Sequence, residues 1–207
     1  MSTEPIFLAP LRLEALALRL GAPHSCIERI GMGPIRSAQA CRSISARIAP
    51  ERPIVLAGVA GALVDGLHPG DVVVANSLSA MNGAKPVMLT GACDLATELE
   101  HYGHVVHVGP ILSSSSIVRG DAARADAAAR GAVAVDMESL WCAPLALAHP
   151  FYVVRVIFDV PGHDVVSWGM PRASLIAFRA LARVARVLTN STIALAHNVP
   201  LTEVGEG

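Results

Sequence analysis

Two acidic residues follow two apolar segments in the stretch Gly131–Gly162. Ala132–Val135 is an apolar run of strand type that leads to Glu138, and Phe151–Phe158, rich in β-branched and aromatic residues, leads to Asp159. If both are parallel neighbours in one sheet, their carboxyl ends bring the two carboxylates to the edge where open α/β sheets bind ligands. Such a pair can perform acid–base chemistry on a bound small molecule. Taken singly, Glu138 could merely favour a helix N-terminus and Asp159 could cap a turn.

The segment between these strands predicts a helix from Leu140 to Ala148. Arg155 precedes Asp159 by four residues on the second strand, so the alternation of a regular strand predicts that both side chains share a face. Arg155 could steer the carboxylates, or it could be a structural ion-pair partner.

The motifs AVDME and RVIFD resemble the signature of the nucleoside phosphorylase and nucleosidase superfamily. That superfamily includes purine nucleoside phosphorylases and methylthioadenosine/S-adenosylhomocysteine nucleosidases. The resemblance implies that Met137 and Glu138 hold the ribose and that Asp159 protonates the purine as the N-glycosidic bond breaks. Phe158 stands where the family usually has Ser, so the support of this acid differs. Cleavage leaves negative charge on the purine and positive charge on the ribose, and an acid and a carboxylate would meet those charges.

The form AVDMES, with Ser139 after Glu138, is most similar to the hopanoid-associated branch of the superfamily. That branch removes adenine from a nucleoside with a large hydrocarbon at its 5′ position. The resemblance therefore implies adenine as the base and an apolar groove, for which Trp168, Met170 and Leu175 are candidates. The same apolar residues could equally form core or a subunit interface.

The N-terminal segment LAPLRLEALAL carries two further candidates. Ile6–Leu8 predicts a strand and Leu11–Leu20 a helix. The resemblance implies two different roles here. Glu14 matches the nucleosidase residue that deprotonates the attacking water, whereas Arg12 matches a phosphorylase residue that binds phosphate. Both could also lie on the solvated face of the helix.

The glycine-containing segment GVAGAL follows a buried strand that begins at Pro53–Leu56 and is expected to break there. Glycine lets the backbone approach a ligand closely, and the resemblance implies that Ala60 and Gly61 are ligand neighbours. Phosphorylases tend to have Ser at Val59, and the hexameric bacterial type has Arg at Leu56. Because phosphate needs donors when it leaves water, these departures favour hydrolysis over phosphorolysis.

The serine run SSSSIVRGD follows a predicted strand, Val105–Leu112. In the resembled family this position carries a base-binding turn, so Ile117 would pack on the purine and Val118 would read its edge. Ser115 replaces the usual Asp, and Ile117 replaces an aromatic residue, which weakens base stacking. A serine run is also typical of an ordinary loop.

The turn GMGPIRSA resembles a glycine-containing turn that borders the active site, so Gly33 and Arg36 are expected near the ligand. The remaining elements complete an alternating pattern. Ser25–Ile30 and Asp71–Asn76 predict strands, and helices are expected near Pro34–Ile48, Ala92–Tyr102, Asp121–Arg130 and Ser167–His197. The fold class expected for residues 1–207 is one α/β domain, a three-layer sandwich with a central mixed β-sheet of the nucleoside phosphorylase type.

The composition excludes several classes of protein. The 16 Lys+Arg residues are balanced by 17 Asp+Glu, which leaves no basic field for nucleic acid. Although 53% of the residues are hydrophobic, no run reaches the roughly 18 uncharged residues of a membrane helix. The N-terminus lacks the features of a signal peptide, so a cytoplasmic location is expected. The four cysteines form no CxxC pair, and neither a metal nor a cofactor is expected.

The expected function is cleavage of the N-glycosidic bond of a purine nucleoside, with adenine as the expected base and water or phosphate as co-substrate. Hydrolysis is favoured, with Glu14 as the base that activates water. The chain is short and strongly apolar, and the resembled nucleosidases complete their sites across a dimer interface, so a homodimer is expected. The alternatives are a phosphorylase and a catalytically silent nucleoside-binding or partner protein.

Overall fold

A mixed sheet of eight strands forms the centre of the computed structural model, which describes residues 4–83, 85–160 and 170–190. The strands are β1 (Ile6–Ala9), β2 (Ile27–Arg29), β3 (Ile54–Ala62), β4 (Val72–Ala80), β5 (Val87–Met88), β6 (Val106–Ser113), β7 (Ala134–Asp136) and β8 (Phe151–Asp159). Each strand expected from the sequence is present, and the mixed sheet confirms the expected fold class.

Within the described residues, six α-helices and one 3₁₀ helix cover the sheet. They are α1 (Arg12–Gly21), α2 (Pro34–Ser45), α3 (Ala92–His101), α4 (Asp121–Ala128), α5 (Ser139–Cys142), a 3₁₀ helix (Ala143–Leu147) and α6 (Met170–Asn190). The helix expected at Leu140–Ala148 is thus split in two, because Pro144 has no N–H for an α-helical bond. The ends of the expected helix 167–197, including Trp168, lie outside the described residues. No helix in the described ranges is long and apolar enough to cross a membrane.

Five strands of the sheet form a closed ring. β3 pairs with β8 in parallel and with β7 antiparallel, β8 pairs with β4, β4 with β6, and β6 with β7. The remaining strands extend this ring through β1 and β2 on one side and β5 on the other. The two acid-bearing strands, β7 and β8, are therefore not the parallel neighbours considered from the sequence. They lie on either side of β3, where Gly61 is paired with both Val135 and Asp159.

Helices on both sides of the sheet bury two cores, which gives the expected three layers. On one side α1, α3 and α6 contribute Leu18, Leu95 and Leu181 to a core shared with the strands. On the other side α2, α5 and the 3₁₀ helix contribute Ile44, Cys142 and Leu145. Strand residues alternate between these cores, as the two-residue period of a strand requires.

Two irregularities in β3 and β8 shape the end of the sheet. β3 does not break at its glycines, because hydrogen bonds to β8 continue from Ile54 to Gly61. β8 contains one extra residue, since Ile157 pairs with Ala60 while Asp159 pairs with Gly61. This bulge at Phe158 shifts the alternation by one position. Arg155 and Asp159 therefore do not share a face, contrary to the expectation for a regular strand.

Candidate active site

A cavity of about 210 Å³ lies at the end of β3. Its lining includes eight of the ten residues that the sequence singles out as catalytic or substrate-binding: Glu14, Ala60, Gly61, Ile117, Val118, Met137, Glu138 and Asp159. The other two, Arg12 and Ser115, are exposed and are not lining residues. The cavity has one end rich in carboxylates, a second end at Asp159, and largely apolar walls.

Glu138 follows β7 and is 5% exposed. Its Oε1 accepts a hydrogen bond from the backbone N–H of Gly33 at 3.0 Å, and its Oε2 lies 3.6 Å from Arg155 Nη2. Gly33 has φ of 86°, a value that favours glycine, and caps the start of α2. Burial raises the pKa of Glu138 to about 7, although the Arg155 charge opposes the shift. This carboxyl group is therefore poised between its two charge states near neutral pH.

Glu14 lies in the first turn of α1 and is 1% exposed. Its carboxylate accepts the backbone N–H of Leu11 at 2.6 Å and that of Val59 at 2.8 Å. Burial raises the pKa of Glu14, while Arg155 and these two N–H groups lower it. A buried carboxyl group with a raised pKa is a stronger base than an exposed one.

Asp136 and Arg155 interact electrostatically with both Glu14 and Glu138. Arg155 is fully buried, and its Nη2 lies 2.7 Å from Asp136 Oδ2. Asp136 Oδ1 also accepts the Ser113 hydroxyl at 2.6 Å. Burial lowers the pKa of Arg155, but the nearby carboxylates of Asp136, Glu138 and Glu14 together raise it above its ordinary value. One guanidinium thus pairs with Asp136 and Glu138, and its charge also acts on Glu14.

Gly58 makes room for this arrangement. A Cβ atom at this position would lie 2.5 Å from Arg155 Nη1 and 2.6 Å from Glu14 Oε1. Both distances are shorter than a real Cβ contact, so a side chain at this position would force Arg155 or Glu14 to move. Arg155 Nη1 is buried and has no hydrogen-bond partner among the described residues.

The other end of the cavity contains an ion pair. Asp159 Oδ2 accepts a short hydrogen bond from Arg124 Nη2, and the side chains are 17% and 7% exposed, respectively. Arg124 Nη1 also donates to the carbonyl oxygen of Ala62 at 2.8 Å. A Cβ at Gly61 would lie 2.8 Å from Asp159 Oδ1. Gly61 therefore lets the backbone of β3 approach this carboxylate.

The walls between the two ends are mainly apolar. Leu11, Met32, Val135, Met137 and Phe158 lie along the cavity together with Ile117 and Val118. Such walls suit a flat ring and an apolar substituent. Within the described ranges, no group of three His, Cys, Asp or Glu side chains could hold a metal ion.

A family model described as the phosphorylase superfamily matches residues 12–186, well over half of the chain. The chain belongs to the phosphorylase superfamily. This membership confirms the superfamily expected from AVDME and RVIFD, and with it the expectation of an enzyme that acts on nucleoside N-glycosidic bonds. No curated protein sequence matches the chain significantly.

Solved structures with this fold include a mutant of futalosine hydrolase from Helicobacter pylori strain 26695, with a TM-score of 0.77 and 16% identity over 90% of this chain and 99% of that one. The 5′-methylthioadenosine/S-adenosylhomocysteine nucleosidase of Neisseria meningitidis, in complex with methylthio-immucillin-A, has a TM-score of 0.77 and 17% identity over 92% and 100% of the two chains. The S-adenosylhomocysteine nucleosidase of Streptococcus pyogenes has a TM-score of 0.73 and 20% identity over 91% of this chain and 97% of that one. At these identities the likeness shows the fold.

In this member of the phosphorylase superfamily, sequence reasoning missed three residues of the site. Gly58 carried a signal, because a glycine inside a strand often marks close backbone approach. Asp136 ends a strand beside Glu138 but was given no role. Arg124 lies in an alanine-rich helix that is typical of a solvated surface. In the structure it shares the buried face of α4 with Ala127, three residues later. Conversely, Leu56 is fully buried in the core, so its identity says nothing directly about the ligand.

Proposed function

We propose that the chain hydrolyses the N-glycosidic bond of a purine nucleoside, with adenine as the base. The observation that carries this proposal is the group of three carboxylates, Glu14, Asp136 and Glu138, around Arg155 at one end of a cavity whose other end holds Asp159. A nucleoside would lie with its ribose at the carboxylate-rich end and its base near Asp159.

The carboxylate-rich end fits the charge that develops on the sugar. As the bond to the base breaks, the ribose acquires positive charge, which favours the ionised form of the three carboxyl groups beside it. Fixed negative charge that meets developing positive charge stabilises the transition state more than the ground state. Glu138 is positioned to accept hydrogen bonds from the ribose hydroxyls, with Met137 beside it.

Glu14 is the proposed base for the attacking water. Its Oε1 lies beside Gly58, close to the unpartnered Arg155 Nη1. A water in the cavity beside Glu14 would donate a hydrogen bond to its carboxylate, so that Glu14 takes the proton as the oxygen attacks C1′.

The same charge distribution favours water over phosphate. An oxyanion needs several donors in a dry site, but three carboxylates would repel it. Arg12, the predicted phosphate ligand, is exposed and is not a lining residue. The solved structures with this fold named above are hydrolases and nucleosidases, which is consistent with hydrolysis.

Asp159, Ile117 and Val118 are the proposed contacts of the base, and Ala60 and Gly61 lie under the ligand. In the resembled family the Asp donates a proton to the purine. The apolar walls are consistent with an apolar 5′ substituent, although a large hydrocarbon of the hopanoid-associated type stays a prediction, as do the homodimer and the cytoplasmic location.

The test is release of adenine from adenosine with and without phosphate, with identification of the sugar product. We expect free ribose and no dependence on phosphate. Asp159→Asn and Glu14→Gln should each lower kcat/KM by about 100-fold or more, whereas the exposed Asp126→Asn serves as control. Ribose 1-phosphate as sole product would establish a phosphorylase instead, and binding of adenosine without base release would establish a silent binding protein.

A further inference from the structure

The ion pair between Arg124 and Asp159 raises the question of which group meets the departing base. Arg124 reaches the cavity from α4 and is among the lining residues. Its side chain is 7% exposed. A charged side chain buried at a cavity wall is costly unless it is paired, and Asp159 supplies that pairing.

Both partners of the pair have capacity left for a ligand. Each terminal nitrogen of an arginine carries two hydrogens. Arg124 uses one on Nη1 for the Ala62 carbonyl and one on Nη2 for Asp159. The Asp159 carboxylate accepts from Arg124 through Oδ2 and has further acceptor positions on its two oxygens. The wall therefore presents a donor from Arg124 beside an acceptor from Asp159.

This pattern complements one edge of adenine. Adenine presents the N7 acceptor next to the N6 amino donor, whereas a 6-oxopurine presents two acceptors, N7 and O6. Arg124 can donate to N7 while Asp159 accepts from the amino group. With a 6-oxopurine, O6 would face the Asp159 carboxylate without a hydrogen between them.

We propose that Arg124 is a catalytic and specificity-determining residue that donates a hydrogen bond to N7 of adenine and stabilises the negative charge of the departing base. Asp159 then orients Arg124 and accepts from the amino group, in place of the proton donation that the resemblance implies. The inference rests on the proposed nucleoside hydrolysis and assigns its leaving-group step.

The step balances without a proton from either residue. The C1′–N9 bond breaks and its electron pair goes to the purine, which spreads the charge to N7 beside the guanidinium. The water oxygen bonds to C1′ and gives one proton to Glu14. The purine anion takes a proton from solvent after cleavage, and Glu14 returns its proton to solvent. Arg124 only donates hydrogen bonds in this step and transfers no proton.

The experiment compares two leaving groups in the wild type and in Arg124→Gln. Adenosine needs charge stabilisation at the base, whereas p-nitrophenyl β-D-ribofuranoside releases an already stable anion. We expect Arg124→Gln to lower kcat/KM for adenosine by about 100-fold to 1,000-fold and to leave turnover of the nitrophenyl riboside nearly unchanged. Arg130→Gln, which removes an exposed arginine paired with Asp126 just beyond α4, is the matched control.

Two further readouts separate stabilisation by Arg124 from proton donation by Asp159. The wild-type kcat for adenosine should stay level from about pH 8 to about pH 10, since the proposed cleavage step transfers no proton to the base. Inosine should be cleaved at least about 100-fold less efficiently than adenosine, because O6 leaves the carboxylate unpaired.

Equal losses on both substrates in Arg124→Gln, no loss on adenosine, or a fall in kcat above pH 8 for adenosine alone would each overturn the assignment. If the wild type cleaves adenosine, these outcomes refute only the role of Arg124. If the wild type cleaves neither substrate, the proposed hydrolysis fails and the assignment fails with it.

Discussion

Glu138 links the charge of the site to the stability of the chain. Its pKa is raised by burial from 4.5 to about 7 in the folded state. Between these values the folded chain holds a proton that the unfolded chain has released, so the free energy of unfolding falls as pH rises through this window. The shift corresponds to about 3 kcal/mol.

We therefore expect the wild type to lose stability between pH 5 and pH 7.5 and the Glu138→Gln variant to lose less, because Gln does not titrate. Urea unfolding at both pH values measures the difference. Glu14, whose pKa is also raised, acts in the same direction in both proteins and cancels in the comparison. Parallel pH dependence of the two proteins would contradict the shift at Glu138.

A second prediction concerns the room that Gly58 leaves for the side chains of Arg155 and Glu14. In Gly58→Ala the new methyl group would push Arg155 and Glu14 apart, so we expect kcat to fall together with a loss of about 1–3 kcal/mol of stability. The control is Gly109→Ala, whose Cβ would lie 2.8 Å from Val133 Cγ2, a purely apolar contact. That variant should lose stability but keep kcat. Equal kcat in both variants would show that Gly58 acts only through packing.

Single residues show what the sequence could and could not reveal. Glu138 and Asp159 were found because each follows an apolar run in a short motif. Arg124 was not, because its burial depends on β3 and β8, which are far from it in the chain.

The segment between β6 and α4 forms one wall of the cavity through Ile117 and Val118. Ile117 is 51% exposed and replaces an aromatic residue of the resembled family. Base stacking on an aromatic ring contributes about 1–3 kcal/mol, so Ile117→Phe should lower KM for adenosine by roughly tenfold with little change in kcat. Ile35→Phe, on the exposed face of α2, is the control. An unchanged KM would remove Ile117 from the base-binding wall.

The strand β8 explains why a correct element assignment still misplaced a side chain. Phe151–Phe158 was identified within one residue of its observed end, yet the extra residue at Phe158 reverses the face of Asp159 relative to Arg155. A bulge depends on the pairing between strands, and that pairing is invisible in a hydrophobic pattern. Similarly, the glycines of β3 predicted a break, whereas pairing with β8 continues along that strand to Gly61.

Several large apolar side chains are exposed in the part of the chain that the structure describes. Leu13, Leu16 and Leu20 recur at helical spacing on α1 and are 60%, 56% and 70% exposed. A contiguous apolar face of this kind is typical of a subunit interface. We expect sedimentation velocity to show a dimer at micromolar concentration and Leu16→Glu to shift it towards monomer. Leu147→Glu, at a similarly exposed leucine of the 3₁₀ helix, is the control. A monomer in the wild type would contradict the prediction.

The alternation of apolar strands and helices in the sequence predicted the layers of the fold. It did not predict that five strands close into a ring. Closure depends on the pairing of β8 with β3, about 100 residues away along the chain, and with β4, about 80 residues away. No local pattern encodes partners at such distances.

That ring also limits how a ligand enters and leaves. β7 and β8 are connected by two routes, directly through β3 and the longer way through β6 and β4. If the pairing through β3 is lost, the pairing through β6 and β4 still connects β7 to β8. The distance between Asp136 and Asp159 is therefore held by two independent sets of hydrogen bonds. We therefore expect the amide hydrogens of these strands to exchange only on global unfolding. Entry and release of the ligand would then depend on movement of the exposed segments around Met32 and Ile117.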